Sequence, residues 1–183
     1  MEKNGKNPPI VIQRIFVGDI TTNNNLKTTL FELKNFLKKS GVRFELSEDN
    51  TVLTIESPQS LLSRISESVE LIRSNVDLKH LKEYLETEEY YFKIDLTDTL
   101  SAHKAIERTI ARVIGEKGSV KKKIEDISGA KLFINQTSIL ILGNYNAITY
   151  ARQCLEEIIE GKPQDVAIKN LGRRVLKDRD AHG

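Results

Sequence analysis

The hydrophobic pattern changes period several times along the chain, and each change marks an element. Residues 10–17 (IVIQRIFV) are dense in β-branched side chains and predict a strand. From Leu26 to Ser40 the apolar positions Leu26, Leu30, Leu33, Phe36 and Leu37 follow a helical repeat, and Gly41 stops it. VRFEL and TVLTIES then alternate apolar with polar residues on either side of Ser47-Glu48-Asp49-Asn50, which predicts a hairpin. Ser57-Pro58 opens a further helix with Leu61, Leu62, Ile65, Val69 and Ile72 on one face. The short amphipathic stretch VDLKHLKEYLETEE is expected to be a helix joining two domains.

From Tyr90 the order largely repeats. YYFKIDL predicts a strand, and residues 101–113 a helix with Ala102, Ile106, Ile110 and Val113 inward. Gly115 and Gly118 interrupt before a second helix that places Val120, Ile124 and Ile127 on one side and ends at Gly129. AKLFIN and SILILG form a hairpin about Gln136-Thr137. Asn144 starts a helix with Ile148, Ala151, Leu155 and Ile158 inward, ending at Gly161-Lys162-Pro163. Both halves therefore read strand, helix, strand, strand, helix, the second with one additional helix. A diverged duplication of about 70 residues accounts for this, and two unrelated small α+β domains are the alternative. The expected division is a disordered lead over 1–9, a first domain over 10–75, a linker helix over 76–89, a second domain over 90–162, and a basic C-terminal helix or tail over 163–183.

Composition narrows the class. In 183 residues, 39% are hydrophobic and 30% charged, as in ordinary globular chains. No apolar stretch approaches the ~20 residues that cross a bilayer, so no membrane partner is expected. The polar start MEKNGKNPPI lacks a signal-peptide apolar stretch. Cys154 is the single cysteine, which excludes an internal disulfide and fits a reducing, cytoplasmic location. The net charge of +2 is unevenly spread. Residues 1–89 carry 12 basic and 14 acidic side chains, while residues 90–183 carry 16 and 12. The excess of positive charge lies in the half with the two glycines, which points weakly to an anionic partner.

RVIGEKGSVKKKIEDISGAKLFI (residues 112–134) holds the candidate chemistry. Glycine lacks a β-carbon, so Gly115 and Gly118 let a sugar-phosphate chain come close to the main chain. The helix starting at Gly118 aims free N–H groups and the positive end of its dipole at that site, with Ser119 in its first turn. Lys117 adds a mobile charge, and Glu116 opposes it. Lys121, Lys122 and Lys123 span most of a turn, so they cannot all face one ligand. Bases are expected over Ile114, Val120 and Ile124, with Ile114 and Val120 equally readable as core and Ile127 as core outright. The strand 130–134 forms the expected second wall, offering Lys131 and Phe133.

A strand–helix–GxxG–helix–strand–strand–helix order resembles the type I KH domain, a single-stranded RNA-binding module whose loop clamps about four nucleotides. The expected fold class is thus α+β, with two tandem type I KH-like domains, each a three-stranded antiparallel sheet plus helices. The first is degenerate: GDITTNNN (residues 18–25) stands where a GxxG loop would, which favours packing or protein contact there over nucleotide binding. A degenerate first KH domain, a second carrying IGEKG, and a short helix ending in ETEEYYFKIDL between them resemble the archaeal small-subunit ribosome assembly proteins, counterparts of the eukaryotic partner-of-Nob factor. ARVIGEKGSVKKKIEDISGAKLFI and SILILGNYNAITYARQCLEEIIEGKP carry the resemblance. It implies binding of the 3′ region of single-stranded small-subunit rRNA, with the maturation nuclease and the pre-ribosomal small subunit as further partners. Carried over by motif, RNA contact falls on Ile114, Gly115, Lys117, Gly118 and the start of the following helix, with Glu116 a departure from the family pattern inside the same site. The basic tail, with Arg173 and Arg174, extends that footprint, docks on ribosome or nuclease, or is a solvated helix end.

Catalysis finds little support. His80, His103 and His182 are scattered without metal-ligand spacing, and neither a phosphate loop ending in Gly-Lys-Ser/Thr nor G-x-S-x-G occurs. Cys154 on an amphipathic helix reads as a small buried hydrophobe. No cofactor, metal or enzymatic activity is expected. The rival reading is a protein-interaction scaffold in which RNA contact is incidental; a KH subunit of RNA-decay or translation machinery is a third.

Overall fold

The computed structural model describes residues 9–17 and 24–182, without the side chains of residues 24, 25 and 182. The chain divides into two compact units, residues 1–86 and 87–183. The expected lead over residues 1–9, apart from Pro9, and most of the GDITTNNN stretch lie outside the described residues.

The first unit runs β1 (Ile10–Phe16), α1 (Asn24–Leu37), β2 (Arg43–Leu46), β3 (Val52–Pro58), α2 (Gln59–Arg73) and α3 (Leu78–Glu86). Its sheet is antiparallel in the order β1-β3-β2. The period-two pattern sets the register: Leu53, Ile55 and Ser57 of β3 turn inward and the residues between them do not. Leu26, Leu30, Leu33 and Leu37 of α1 are buried at helical spacing, as are Ile65, Val69 and Ile72 of α2. Gly41 ends the first of these helices at φ 73°, after a single 3₁₀ turn. Between β2 and β3, Asn50 takes the left-handed conformation while the Asp49 carboxylate accepts from the Ser47 and Thr51 hydroxyls. The stretch expected as a linker is instead folded onto this unit. Leu81 and Tyr84 of α3 are buried, the Arg64 guanidinium lies 4.1 Å from the Tyr84 ring centre, and the Tyr84 hydroxyl donates to Glu67. A buried tyrosine with a cation on its face and an acceptor at its tip fixes the helix in place.

The second unit runs β4 (Tyr90–Asp95), α4 (His103–Ile114), α5 (Ser119–Ser128), β5 (Lys131–Ile134), β6 (Ser138–Gly143), α6 (Tyr145–Ile159) and α7 (Gln164–His182). The sheet order β4-β6-β5 repeats that of the first unit. Every residue of the central strand β6 is buried. Val113, Ile124, Leu132, Ile141, Ala151, Leu155 and Ile158 form the middle of the core. Helix α6 is capped by the Asn144 side chain, which accepts from the Ala147 amide at 2.9 Å. The expected basic tail is a 19-residue helix, and it belongs to this core. Ala167, Leu171 and Val175 recur every four residues and are buried against the unit. The charged residues between them masked this apolar stripe.

Candidate nucleic-acid interface

Helix α4 stops at Ile114 because Gly115 leaves helical geometry, at φ 71° and ψ 178°. A single 3₁₀ turn over Glu116–Gly118 follows, in which Lys117 is left-handed at φ 50° and Gly118 at φ 79°. The two glycines are required for different reasons. A β-carbon on Gly115 would lie 2.5 Å from Val120 Cγ2 and 2.9 Å from the Val120 amide nitrogen. Gly118 has open space around it, so only its positive φ selects glycine. Val120 therefore supports the turn from beneath.

The turn itself is at the surface. Glu116, Lys117 and Ser119 are exposed, and Ile114, Gly115 and Gly118 are half-buried. No side chain caps α5 at Gly118. The uncapped start of a ten-residue helix presents backbone donors and a positive dipole end to whatever approaches the turn. Lys117, Lys122, Lys123 and Lys131 have no carboxylate partner among the described residues, whereas Lys121 is turned toward Glu125 at 4.0 Å.

Several expected contacts are corrected. Ile124 is wholly buried and Val120 nearly so, because both complete the apolar stripe that joins α5 to the core; neither is available to a base. Ile127 packs against the same core, half-buried at its margin, in line with its reading as core. Lys131 and Phe133 share one face of β5, and the core residue Leu132 points to the other. They therefore project from the sheet face opposite the packed helices. Arg174 is not a free cation: with Asn170 and Lys162 it surrounds the buried Glu157 carboxylate. Burial pushes the Glu157 carboxyl upward, but the hydrogen bonds from Asn170 and Arg174 and the nearby charges outweigh it and hold it below the ordinary glutamate range. Arg173 stays exposed on α7, which packs against α5 and α6.

Other residues of the site carried no sequence signal. Glu125 on α5 accepts the Leu132 amide hydrogen at 2.8 Å, bridging helix and edge strand. Arg112, one turn before the glycines, donates to the Ile158 carbonyl at 2.9 Å and to the Lys162 carbonyl, satisfying the open end of α6. Gln164 in turn donates to the Arg112 carbonyl. An arginine beside a phosphate-binding turn reads as an anion ligand; here it braces the turn's support. Elsewhere, burial and then the Glu157 charge push the Cys154 thiol up to about 12, so it stays protonated at neutral pH. Among the described residues no group of three or more His, Cys, Asp or Glu is placed to hold a metal ion. No described helix is long and apolar enough to cross a membrane.

This geometry agrees with known proteins. A family model for the second KH domain of PNO1, described as a eukaryotic-type KH domain (KH-domain type I), matches residues 91–175. A KH domain-containing protein of Methanocaldococcus jannaschii, MJ0443, is 26% identical over 160 residues, covering 81% of this chain and 67% of the relative. The pre-rRNA-processing protein PNO1 of Gibberella zeae is 30% identical over 83 residues, 45% of this chain and 32% of that protein. Among solved structures, the a/eIF2alpha–aDim2p–rRNA complex of Pyrococcus horikoshii contains a chain with the same fold. It matches at a TM-score of 0.77 and 21% identity, over 92% of this chain and 96% of that one. The second unit thus matches a type I KH-domain model, and the chain as a whole shares the fold of the archaeal Dim2p chain.

Proposed function

We propose that the chain is an RNA-binding ribosome assembly factor whose second KH domain holds the 3′ region of small-subunit rRNA and assists its maturation. One observation carries this reading: the exposed turn at residues 115–118 heads an uncapped helix within a complete KH element order. The backbone of that turn meets a phosphate without a side chain in the way, and Lys117 and Lys122 supply charge beside it. Contacts made to the ribose-phosphate chain position a strand, while base edges and stacking select its sequence. The reading gains support from the fungal relative, which is named for pre-rRNA processing, and from the archaeal complex, which includes rRNA. The pre-ribosomal small subunit and the nuclease that matures its rRNA are the proposed protein-side partners. The chain acts in this scheme by holding RNA, not by cutting it.

The test is the affinity of the whole protein for short single-stranded oligonucleotides from the rRNA 3′ region. About three neutralised phosphates imply a slope near −2 when log affinity is plotted against log salt. Replacing Glu116 and Lys117 together by aspartate places two carboxylates in an exposed turn and leaves the core untouched. Binding is expected to fall sharply. Unchanged affinity would remove the turn from the binding site.

A further inference from the structure

β1 and β2 are the edges of the first unit's sheet, and β4 and β5 those of the second's. Three of these edges are blunted. β2 and β5 have four residues each, with Arg43 and Glu45 on the one and Lys131 on the other. β4 carries Lys93 and Asp95. Short length and charge are means by which proteins keep open edges from pairing. β1 is the longest edge, seven residues (IVIQRIF), with Arg14 its one charge and an unbroken register to β3. The ladder shows which of its main-chain groups stay open. The Val17 amide donates to the Thr51 carbonyl and the Gln59 amide to the Pro9 carbonyl. Odd-numbered residues of the strand therefore turn their N–H and C=O groups to β3, and those of Ile10, Ile12, Arg14 and Phe16 face the free edge. The Phe16 carbonyl accepts from the Arg73 guanidinium, which leaves it a second lone pair. The same four residues place their side chains on the open face of the sheet. Ile10, Ile12 and Phe16 are between 63% and 68% exposed there.

We propose that β1 pairs with β1 of a second copy of this chain, antiparallel about a two-fold axis through Gln13, and so joins two three-stranded sheets into one. In that register Ile10 lies opposite Phe16 of the second copy, and Ile12 opposite its Arg14. Each pair exchanges main-chain hydrogen bonds, because all four residues face the edge. Ile10 packs on the Phe16 ring, a favourable cross-strand pair, and Ile12 covers the aliphatic stem of Arg14. On the other face the half-buried Val11 and Ile15 oppose each other. The Ser66 hydroxyl donates to Gln13, which sets α2 beside the seam. A shift of one residue opposes an edge-facing residue to one that faces β3 and loses the bonds. A shift of two shortens the overlap and, in one direction, sets Arg14 against the second Arg14. The strand is thus complementary to its own reverse, as a two-fold contact requires. Its single charge gives it little with which to select an acidic or basic partner. One strand and its flanking side chains bury less than the ~1,200–2,000 Å² of stable complexes, so the association is expected to be reversible and micromolar. It makes no use of residues 115–118 and stands or falls apart from the function proposed above.

The experiment is sedimentation velocity of the whole, RNA-free protein from ~1 to ~200 μM. The parent's mass is expected to rise with concentration toward twice the monomer value. Ile12→Lys changes both copies at once and is expected to weaken association more than about tenfold. Its side chain is exposed, so thermal unfolding at low concentration should not move. Gln13→Cys puts two thiols at the axis, in a pair whose Cα atoms lie ~4.5 Å apart, within reach of a disulfide. Oxidation should crosslink it as a dimer, since the native Cys154 is buried and takes no part. Arg14→Cys opposes Ile12 instead of itself, its two copies lie beyond ~7 Å, and it should not crosslink. A parent that stays monomeric at every concentration overturns the proposal. A dimer that Ile12→Lys leaves unchanged, with no crosslink from Gln13→Cys, uses another surface and also overturns it. Equal crosslinking of the two cysteine variants overturns the register. Should Ile12→Lys fail to fold, the cysteine pair decides alone.

Discussion

The Glu125 carboxylate accepts the Leu132 amide hydrogen at 2.8 Å, so a helix side chain closes one main-chain position on the edge of β5. An edge strand otherwise presents unpaired donors and acceptors along its length. This bond ties the strand to the same helix whose head carries the glycine turn. Substituting Glu125 with alanine leaves the Leu132 donor without its partner. A loss of about 1–3 kcal/mol is expected by urea unfolding. Glu125→Gln keeps an acceptor and should cost less. Equal losses for the two would mean that charge, not the bond, matters.

Gly115 and Gly118 should differ in cost although they share one motif. Gly115→Ala meets the Val120 side chain and amide and also forces a positive φ, so about 2–4 kcal/mol of destabilisation is expected. Gly118→Ala has open space and bears the φ strain alone, about 1 kcal/mol. Paired denaturation curves test the order. The reverse order would mean that Val120 moves aside freely.

Helix α7 should behave as core despite its charge. Leu171 is wholly buried, so Leu171→Ala is expected to cost about 2–5 kcal/mol. Exposed Arg173→Gln should stay within about 0.5 kcal/mol. Deleting the chain from Leu171 onward would therefore unfold the second unit, and Arg173 substitution is the cleaner probe of any RNA contact there.

Acid should weaken the second unit partly through Glu157. Its native carboxyl titrates below the ordinary glutamate value, about 4.3 when unfolded. A depressed native pKa adds stability that is complete above the unfolded value and disappears as pH falls through the native one. Between about pH 5 and pH 3 the parent should therefore lose more thermal stability than Glu157→Gln. The variant should already be less stable at pH 7, since Arg174 loses its ionised partner. Parallel acid slopes would remove Glu157 from the acid response.

Much of this was legible in the chain. Leu26, Leu30, Leu33 and Leu37 predicted α1, and the alternation in TVLTIES predicted β3, because burial on one side imposes its own period on the sequence. The two glycines marked the turn for the same kind of local reason, a backbone conformation that few other residues adopt. The α7 stripe was hidden because only Ala167, Leu171 and Val175 carry it, among five basic residues that drew the eye to charge. Val120 stayed open between groove and core, and Ile124 was expected in the groove, because an apolar side chain near the head of a helix suits a ligand groove and a core equally well.

Local order is what the sequence alone determined: the two repeats of strand and helix, the turn at residues 115–118 and the apolar faces. These depend on contacts within a few residues, where spacing is sufficient information. Tertiary structure alone decided that Glu125 meets Leu132, that Arg112 braces the end of α6, that Arg174 is spent on Glu157, and that β1 is an edge with Ile10, Ile12 and Phe16 exposed. Those pairings join residues on different elements, and a charged or aromatic side chain has no fixed partner until packing brings one within reach.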